Sequence, residues 1–110
     1  MKYLSTRNNK LELSFFEILF QGLSIDGGLF LPSKWPTLDI TTLKDKTYEE
    51  VALSIIYPYV LEEVSENDLK KIIDDSYKSF SHSKIAPVIN IGQNKYILEL
   101  FYGPTFAFKD

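Results

Sequence analysis

The sequence contains no cysteine and only one histidine, and these two absences exclude several kinds of chemistry. Without cysteine the chain cannot form disulfides, use a thiolate nucleophile or build a cysteine-based zinc site. A single histidine makes a His-rich metal site equally unexpected. Five glycines and five prolines in 110 residues exclude a collagen-like or low-complexity chain. The lack of cysteine is also compatible with a protein that resides in a reducing compartment.

The sequence also lacks a large excess of either charge sign and lacks long apolar runs. The chain has 12 Lys and Arg against 15 Asp and Glu, so it has no basic surplus for binding nucleic acid. No segment approaches the roughly 18 uninterrupted apolar residues of a membrane-spanning helix, and no membrane partner is expected. The N-terminal residues lack the continuous apolar core of a signal peptide, which predicts a cytoplasmic protein.

The composition is that of a globular domain, with 45% hydrophobic and 15% aromatic residues. Ser14 and Glu17 have the spacing of a capping box, and Gly22 suits a left-handed helix end. We therefore expect a short helix at about residues 15 to 21. Asp26-Gly27-Gly28 predicts a turn, followed by a brief extended segment over residues 29–31.

Two longer helices are expected in the middle of the chain. Thr47 and Glu50 form a second candidate capping box before an apolar pattern at helical spacing. Pro58 removes one hydrogen bond within this pattern, which predicts a kink or an early end near Tyr57. Ser65 caps a third helix. The apolar stripe of that helix comprises Leu69, Ile72, Ile73, Tyr77 and Phe80.

The residue pattern changes from helical to strand-like after Pro87. Residues 88–91 and 96–101 are apolar segments separated by a turn at residues 92–94, which predicts a β-hairpin. A helical layer followed by a small sheet indicates an α/β or α+β class. The chain should then run through a Gly103-Pro104 turn into the start of a further helix.

A lysine follows the apolar run Phe106-Ala107-Phe108 near the end of the sequence. Apolar neighbours predict partial desolvation of Lys109, which favours the neutral amine that Schiff-base formation requires. Taken alone, a Lys-Asp pair in this position is more often a solvated tip.

Residues 98–110, Leu-Glu-Leu-Phe-Tyr-Gly-Pro-Thr-Phe-Ala-Phe-Lys-Asp, resemble the pyridoxal-phosphate lysine motif of the threonine synthase family. Other segments are similar to that family in the expected order: Tyr3, Ser5-Thr6-Arg7, Ser14-Phe15, Glu17, Gly22-Leu23, Asp26-Gly27-Gly28-Leu29-Phe30, Pro32 and Ala86-Pro87. The lysine motif alone indicates a fold-type II pyridoxal-phosphate enzyme, whereas the opening and closing motifs together are specific to threonine synthases. Tyr102 departs from the pattern, because the family usually carries His there.

The resemblance implies that Lys109 binds pyridoxal phosphate through a Schiff base and then moves protons at the substrate carbons, while the cofactor supplies the electron sink. It implies a lyase-type conversion of O-phospho-L-homoserine and water to L-threonine and phosphate. It also divides the chain into a helical N-terminal domain, residues 1–86, and the hairpin with the start of the catalytic domain and its lysine helix, residues 87–110.

No Gly-rich loop opens onto a helix N-terminus to hold the cofactor phosphate, and Gly27-Gly28 is interpreted as a turn. In this family the phosphate loop and most substrate-binding groups lie downstream of the lysine. We therefore interpret the 110 residues as an N-terminal piece of a longer enzyme, inactive alone. Self-association is expected through apolar residues that the missing domain would cover: Leu98, Leu100, Phe101, Phe106 and Phe108.

Two alternatives remain open. One is a non-catalytic helical interaction module, and the other is a different fold-type II enzyme such as a serine or threonine dehydratase, which the opening motif disfavours.

Among the remaining polar residues, Ser5-Thr6-Arg7 is interpreted as a turn or strand cap rather than an anion site. His82 is interpreted as a surface loop residue. Glu99 fits alternation on a half-buried strand, or a pair with a positive group.

Overall fold

The computed structural model describes all 110 residues and contains both helices and antiparallel sheets, which confirms a mixed α and β class. In chain order the elements are β1 (Tyr3–Ser5), β2 (Glu12–Leu13), α1 (Phe15–Gln21), β3 (Phe30–Pro32), a 3-10 helix (Ile40–Leu43), α2 (Tyr48–Val60), α3 (Glu66–Tyr77), β4 (Val88–Gly92) and β5 (Lys95–Leu98). None of the helices is long and apolar enough to cross a bilayer.

The N-terminal region contains a three-stranded sheet, of which the sequence predicted only the extended segment that corresponds to β3. Its strand order is β2-β1-β3, and Tyr3 lies opposite Leu13 on one side and Pro32 on the other. The description of residues 1–86 as helical is therefore incomplete. Strands of two or three residues are too short to show an alternating pattern, and their pairing depends on residues far apart in sequence.

Helix α1 has the predicted bounds because its caps are local. The Ser14 amide donates to Glu17 Oε2 at 2.7 Å, and the Glu17 amide donates to Ser14 Oγ at 3.4 Å. Gly22 ends the helix with φ +75° and ψ −68°, and a positive φ of this size favours glycine. The capping box therefore fixes this helix.

Helix α2 begins at its predicted capping box but continues two residues beyond Pro58, so the early end near Tyr57 is wrong. The Leu61 amide donates to the Tyr57 carbonyl at 3.0 Å and closes the last turn. Val60 is only 3% exposed. Its burial, worth about 1.5–3 kcal/mol, offsets the single hydrogen bond that Pro58 removes.

Helices α2 and α3 pack on each other and form the core of the molecule. Its buried members are Ala52, Val60, Leu69 and Ile73. Phe15 of α1 packs against them, and the Tyr3 hydroxyl donates to the Tyr59 carbonyl at 2.7 Å. The sheet, α1 and the helix pair thus form one packed unit. Helix α3 ends at Tyr77, so Phe80 lies outside it.

Strands β4 and β5 form the predicted hairpin, with Val88 opposite Leu98 and Ile89 opposite Ile97. Both turn residues have positive φ, 52° at Gln93 and 57° at Asn94, as a tight hairpin turn requires. The second strand ends at Leu98, earlier than predicted. Every residue of both strands is exposed, on both faces of the hairpin.

Candidate functional site

The segment that carries Lys109 consists of turns, and the predicted helix start is wrong. The Phe106 amide donates to the Gly103 carbonyl at 3.2 Å, and the Asp110 amide donates to the Ala107 carbonyl at 3.2 Å. Phe106 has φ +58°, a left-handed conformation that takes the chain out of a right-handed helical path. The segment therefore folds as two consecutive turns.

Asp110 closes this segment through its carboxylate. Oδ2 accepts a hydrogen bond from the Thr105 amide at 2.9 Å, and Oδ1 accepts from the Thr105 hydroxyl at 2.5 Å. The Thr105 hydroxyl bond is the main cause that lowers the pKa of Asp110 below its ordinary value. The charged carboxylate is thus the form that holds the two ends of the segment together.

Gly103 allows this closure. It is buried, and a Cβ added there would overlap the side chain of Asp110. The turn at Gly103 and Pro104 was predicted from the sequence, but the contact of Gly103 with Asp110 was not. An Asp five residues after a Thr is a weak signal, because many sequences contain that spacing without such a ring.

The turns lie against the helical unit. Ala107, Phe108 and Asp110 line one side of a small cleft of about 100 Å³. The other lining residues are apolar or aromatic: Tyr48, Tyr77, Phe80, Ile85, Ala86 and Leu100. The cleft is too small to hold a cofactor-sized molecule.

Lys109 does not line this cleft and is exposed, as are the adjacent Phe106 and Phe108 at 79% and 75%. The expected partial desolvation of Lys109 is therefore wrong, because Phe106 and Phe108 do not cover it, and the exposed lysine agrees with the solvated tip. No carboxylate forms an ion pair with Lys109. The Lys109 amine fits the aldehyde end of pyridoxal phosphate, since an accessible primary amine is the group that reacts with that aldehyde.

A phosphate cradle is not formed at the Gly27-Gly28 pair. The Gly28 amide donates to Asp26 Oδ1 at 2.9 Å, and the Gly27 amide donates to the Ser24 carbonyl at 2.8 Å. Both amides are satisfied inside the turn, as the turn interpretation requires. The chain thus presents a lysine for the aldehyde end without a Gly-rich phosphate loop beside it.

Ser5, Thr6 and Arg7 bind this same turn. The Ser5 hydroxyl donates to the Asp26 carboxylate at 2.8 Å, and Arg7 Nη1 donates to the Asp26 carbonyl at 3.1 Å. The Leu29 amide donates to the Thr6 hydroxyl at 3.0 Å. These bonds agree with the strand-cap interpretation. The Gly28 amide is the main cause that lowers the pKa of Asp26, followed by the Ser5 hydroxyl.

Tyr102, the departure from the family pattern, joins the hairpin to the loop after α3. Its hydroxyl donates to Glu99 Oε2 at 2.8 Å, and its carbonyl accepts from the Ser81 amide at 2.9 Å. This bond to Glu99 is the main cause that raises the pKa of Tyr102. The ring of His82 lies 4.7 Å from the Tyr102 ring. His82 is a loop residue, as predicted, but it is half-buried.

Comparison with known proteins identifies relatives over the whole chain. The family model described as "Threonine synthase N terminus" matches residues 2–77. The threonine synthase of Schizosaccharomyces pombe is 43% identical over 100% of this chain and 22% of its own length. That of Pseudomonas aeruginosa is 38% identical over 100% of this chain and 24% of its own. The chain thus spans about a quarter of the length of these relatives.

Solved structures agree with the sequence relatives. A pyridoxal-phosphate-bound threonine synthase from Brucella melitensis has a TM-score of 0.93 and 39% identity, covering 99% of this chain and 24% of that chain. The yeast threonine synthase has a TM-score of 0.89 and 38% identity, covering 98% of this chain and 23% of that chain. The chain therefore belongs to the threonine synthase family and corresponds to its N-terminal region.

Proposed function

We propose that this chain supplies the N-terminal region and the cofactor lysine of a threonine synthase, which converts O-phospho-L-homoserine and water to L-threonine and phosphate. The observation that carries this proposal is the alignment with the Schizosaccharomyces pombe relative, which extends over 100% of this chain and therefore includes Lys109. The accessible and unpaired amine of Lys109 supports the same assignment.

Lys109 Nζ would hold pyridoxal phosphate in this proposal, and the rest of the segment would direct that amine. When bound, the cofactor supplies an electron sink for negative charge that develops at the substrate carbons. The lysine amine removes a proton from a substrate carbon and returns it to another, as general base and then general acid. Residues 103–110 hold the backbone of that lysine in two turns.

We further propose that residues 87–110 belong to the catalytic domain and that residues 1–86 form a separate N-terminal domain. The full exposure of both hairpin strands supports this division, because apolar strands exposed on both faces are typical of a sheet that other elements cover. The isolated 110 residues are expected to form no threonine. The lack of cysteine is compatible with the reducing cytoplasm, which we propose as the compartment.

The exposed hairpin also favours self-association of the isolated chain. Its apolar residues include Val88, Ile89, Ile91, Tyr96, Ile97 and Leu98, exposed by 42% to 61%. An exposed apolar patch on a sheet face usually marks an interaction surface. A non-catalytic interaction module is the second candidate function, and this patch is the observation that favours it.

Titration with pyridoxal phosphate tests the proposed role of Lys109. The chain is incubated with the cofactor, the link is made permanent with borohydride, and the modified lysines are mapped by mass spectrometry. We expect Lys109 to carry more adduct than the other lysines and Lys109→Ala to lose that fraction. Lys95→Ala, on the exposed hairpin, is the matched control and should leave it unchanged. Equal labelling of all lysines would contradict the assignment and favour the interaction module.

A further inference from the structure

The residues on either side of Lys109 form a closed ring. Thr105 donates two hydrogen bonds to the carboxylate of Asp110, at 2.9 and 2.5 Å, so that a span of six residues is tied at its ends. Lys109 is the last residue inside this ring. Both bonds are charge-assisted on the acceptor side, which makes them shorter and stronger than neutral ones.

The ring holds a backbone that would otherwise relax. Phe106 has φ +58°, which is unfavourable for a bulky L residue, and such conformations persist only where surrounding contacts determine them. Phe106 itself is 79% exposed and gains little from packing. The Thr105 and Asp110 bonds and the close approach of Gly103 to Asp110 are the contacts that hold it.

The ring lies beside the helical unit. Ala107, Phe108 and Asp110 line the cleft against the helical unit, whereas Lys109 lies outside it. The side chain of Lys109 is thus left exposed, while the residues on both sides of it contact the cleft. An amine on a fixed backbone reaches fewer positions than an amine on a free chain end, so more of its encounters are productive.

We infer that Thr105 and Asp110 are positioning residues for Lys109, because their hydrogen bonds fix the backbone from which the lysine amine extends. This inference rests on the proposed role of Lys109 as the cofactor lysine. Neither residue needs to touch the cofactor. The Thr105 hydroxyl is the critical group, because it donates the shorter of the two bonds and is the main cause of the lowered pKa of Asp110.

Two Thr105 substitutions separate the hydroxyl from the volume of the side chain. Thr105→Val keeps the shape and removes the donor, and Thr105→Ser keeps the donor. We expect Thr105→Val to reduce the Lys109 share of the borohydride-fixed adduct by about three- to tenfold, the equivalent of one lost hydrogen bond. Thr105→Ser should restore it. Thr37→Val, at an exposed threonine outside the segment, is the matched control and should have no effect.

Titration of the Asp110 carboxylate by NMR gives a readout that does not depend on the cofactor. In the original chain its midpoint should lie below the ordinary aspartate value of 3.8, and in Thr105→Val it should rise toward that value. Asp110→Asn removes the charge of the acceptor and should lower the Lys109 share as Thr105→Val does. An unchanged Asp110 midpoint in Thr105→Val would show that the ring does not form in solution and would overturn the inference.

Failure of the inference and failure of the proposed function give different results. If the original chain labels Lys109 no more than its other lysines, the proposed cofactor role fails and the inference fails with it. If the original chain labels Lys109 preferentially and Thr105→Val does so equally, the role of Lys109 stands and the positioning role is overturned. If Thr105→Ser behaves like Thr105→Val, the hydroxyl is not the positioning group, and the inference is also overturned.

Discussion

The helix pair α2 and α3 and the hairpin β4 and β5 are both made of sequence neighbours, yet only the helix pair builds a core. Val60 and Ile73 are 3% and 5% exposed, whereas Ile97 is 48% exposed. The hairpin has a tight turn with positive φ at Gln93 and Asn94, and its strands are paired with one register shift between Asn90 and Gly92. Local sequence therefore suffices to form both elements, but only burial gives an element independent stability.

Truncation of a core side chain should show the largest difference in stability between the helix pair and the hairpin. Ile73→Ala is expected to lower the free energy of unfolding by about 2–4 kcal/mol, because it removes buried methyl groups and leaves a cavity. Ile97→Ala should cost about 1 kcal/mol or less, because nearly half of that side chain already contacts solvent. Urea unfolding followed by circular dichroism measures both. Equal losses would show that the hairpin is buried in solution.

Charged residues placed on the hairpin should change the association of the chain without affecting the core of the helix pair. Ile89 and Ile97 lie opposite each other across the two strands. Ile89→Lys with Ile97→Lys should shift the isolated chain from oligomer to monomer at the same concentration, measured by analytical ultracentrifugation. Ile72→Lys, on the exposed side of α3 at 56%, is the control and should leave the oligomeric state unchanged. A monomeric original chain would contradict the proposed self-association.

The smallest effect is expected at the N-terminal turn, and it should appear only in acid. The pKa of Asp26 is lowered in the folded state, so its contribution to stability is present above the ordinary value of 3.8 and is lost as the pH falls through the folded pKa. Asp26→Asn should therefore weaken the dependence of the unfolding free energy on pH in this acid range.

Asp45→Asn, at an exposed position, is the matched control and should keep that acid dependence. Thermal unfolding measured at neutral pH and in acid separates the two variants. An Asp26→Asn protein with the original acid dependence would show that the hydrogen bonds from Gly28 and Ser5 do not stabilise the carboxylate in solution.

Features set by neighbouring residues could be predicted from the sequence. Helix α1 has the predicted bounds because Ser14 and Glu17 exchange hydrogen bonds within one turn. The hairpin was predicted for the same reason. Strands β1 and β2 could not be predicted, because each has at most three residues and β1 pairs with β3, whose residues are more than twenty positions away.

Features that depend on burial were predicted less well. Helix α2 continues past Pro58 because Val60 is buried, and the proline pattern alone contains no information about that packing. Lys109 was identified through its motif, and its exposure agrees with the solvated tip that a Lys-Asp pair predicts. The expected desolvation failed because a run of phenylalanines desolvates a lysine only where the rings cover it. The ring between Thr105 and Asp110 was missed because two polar residues five apart carry no strong signal.

Amide hydrogen exchange, resolved by residue in the isolated chain, tests most directly whether the helix pair is a stable buried core and the hairpin an exposed element of low stability. Amides of α2 and α3 should exchange only through global unfolding, whereas those of β4 and β5 should exchange through local opening at much lower free energy. This result would support an N-terminal unit that folds by itself and an uncovered segment that presents Lys109. Protection of the hairpin equal to that of the helices would contradict the account.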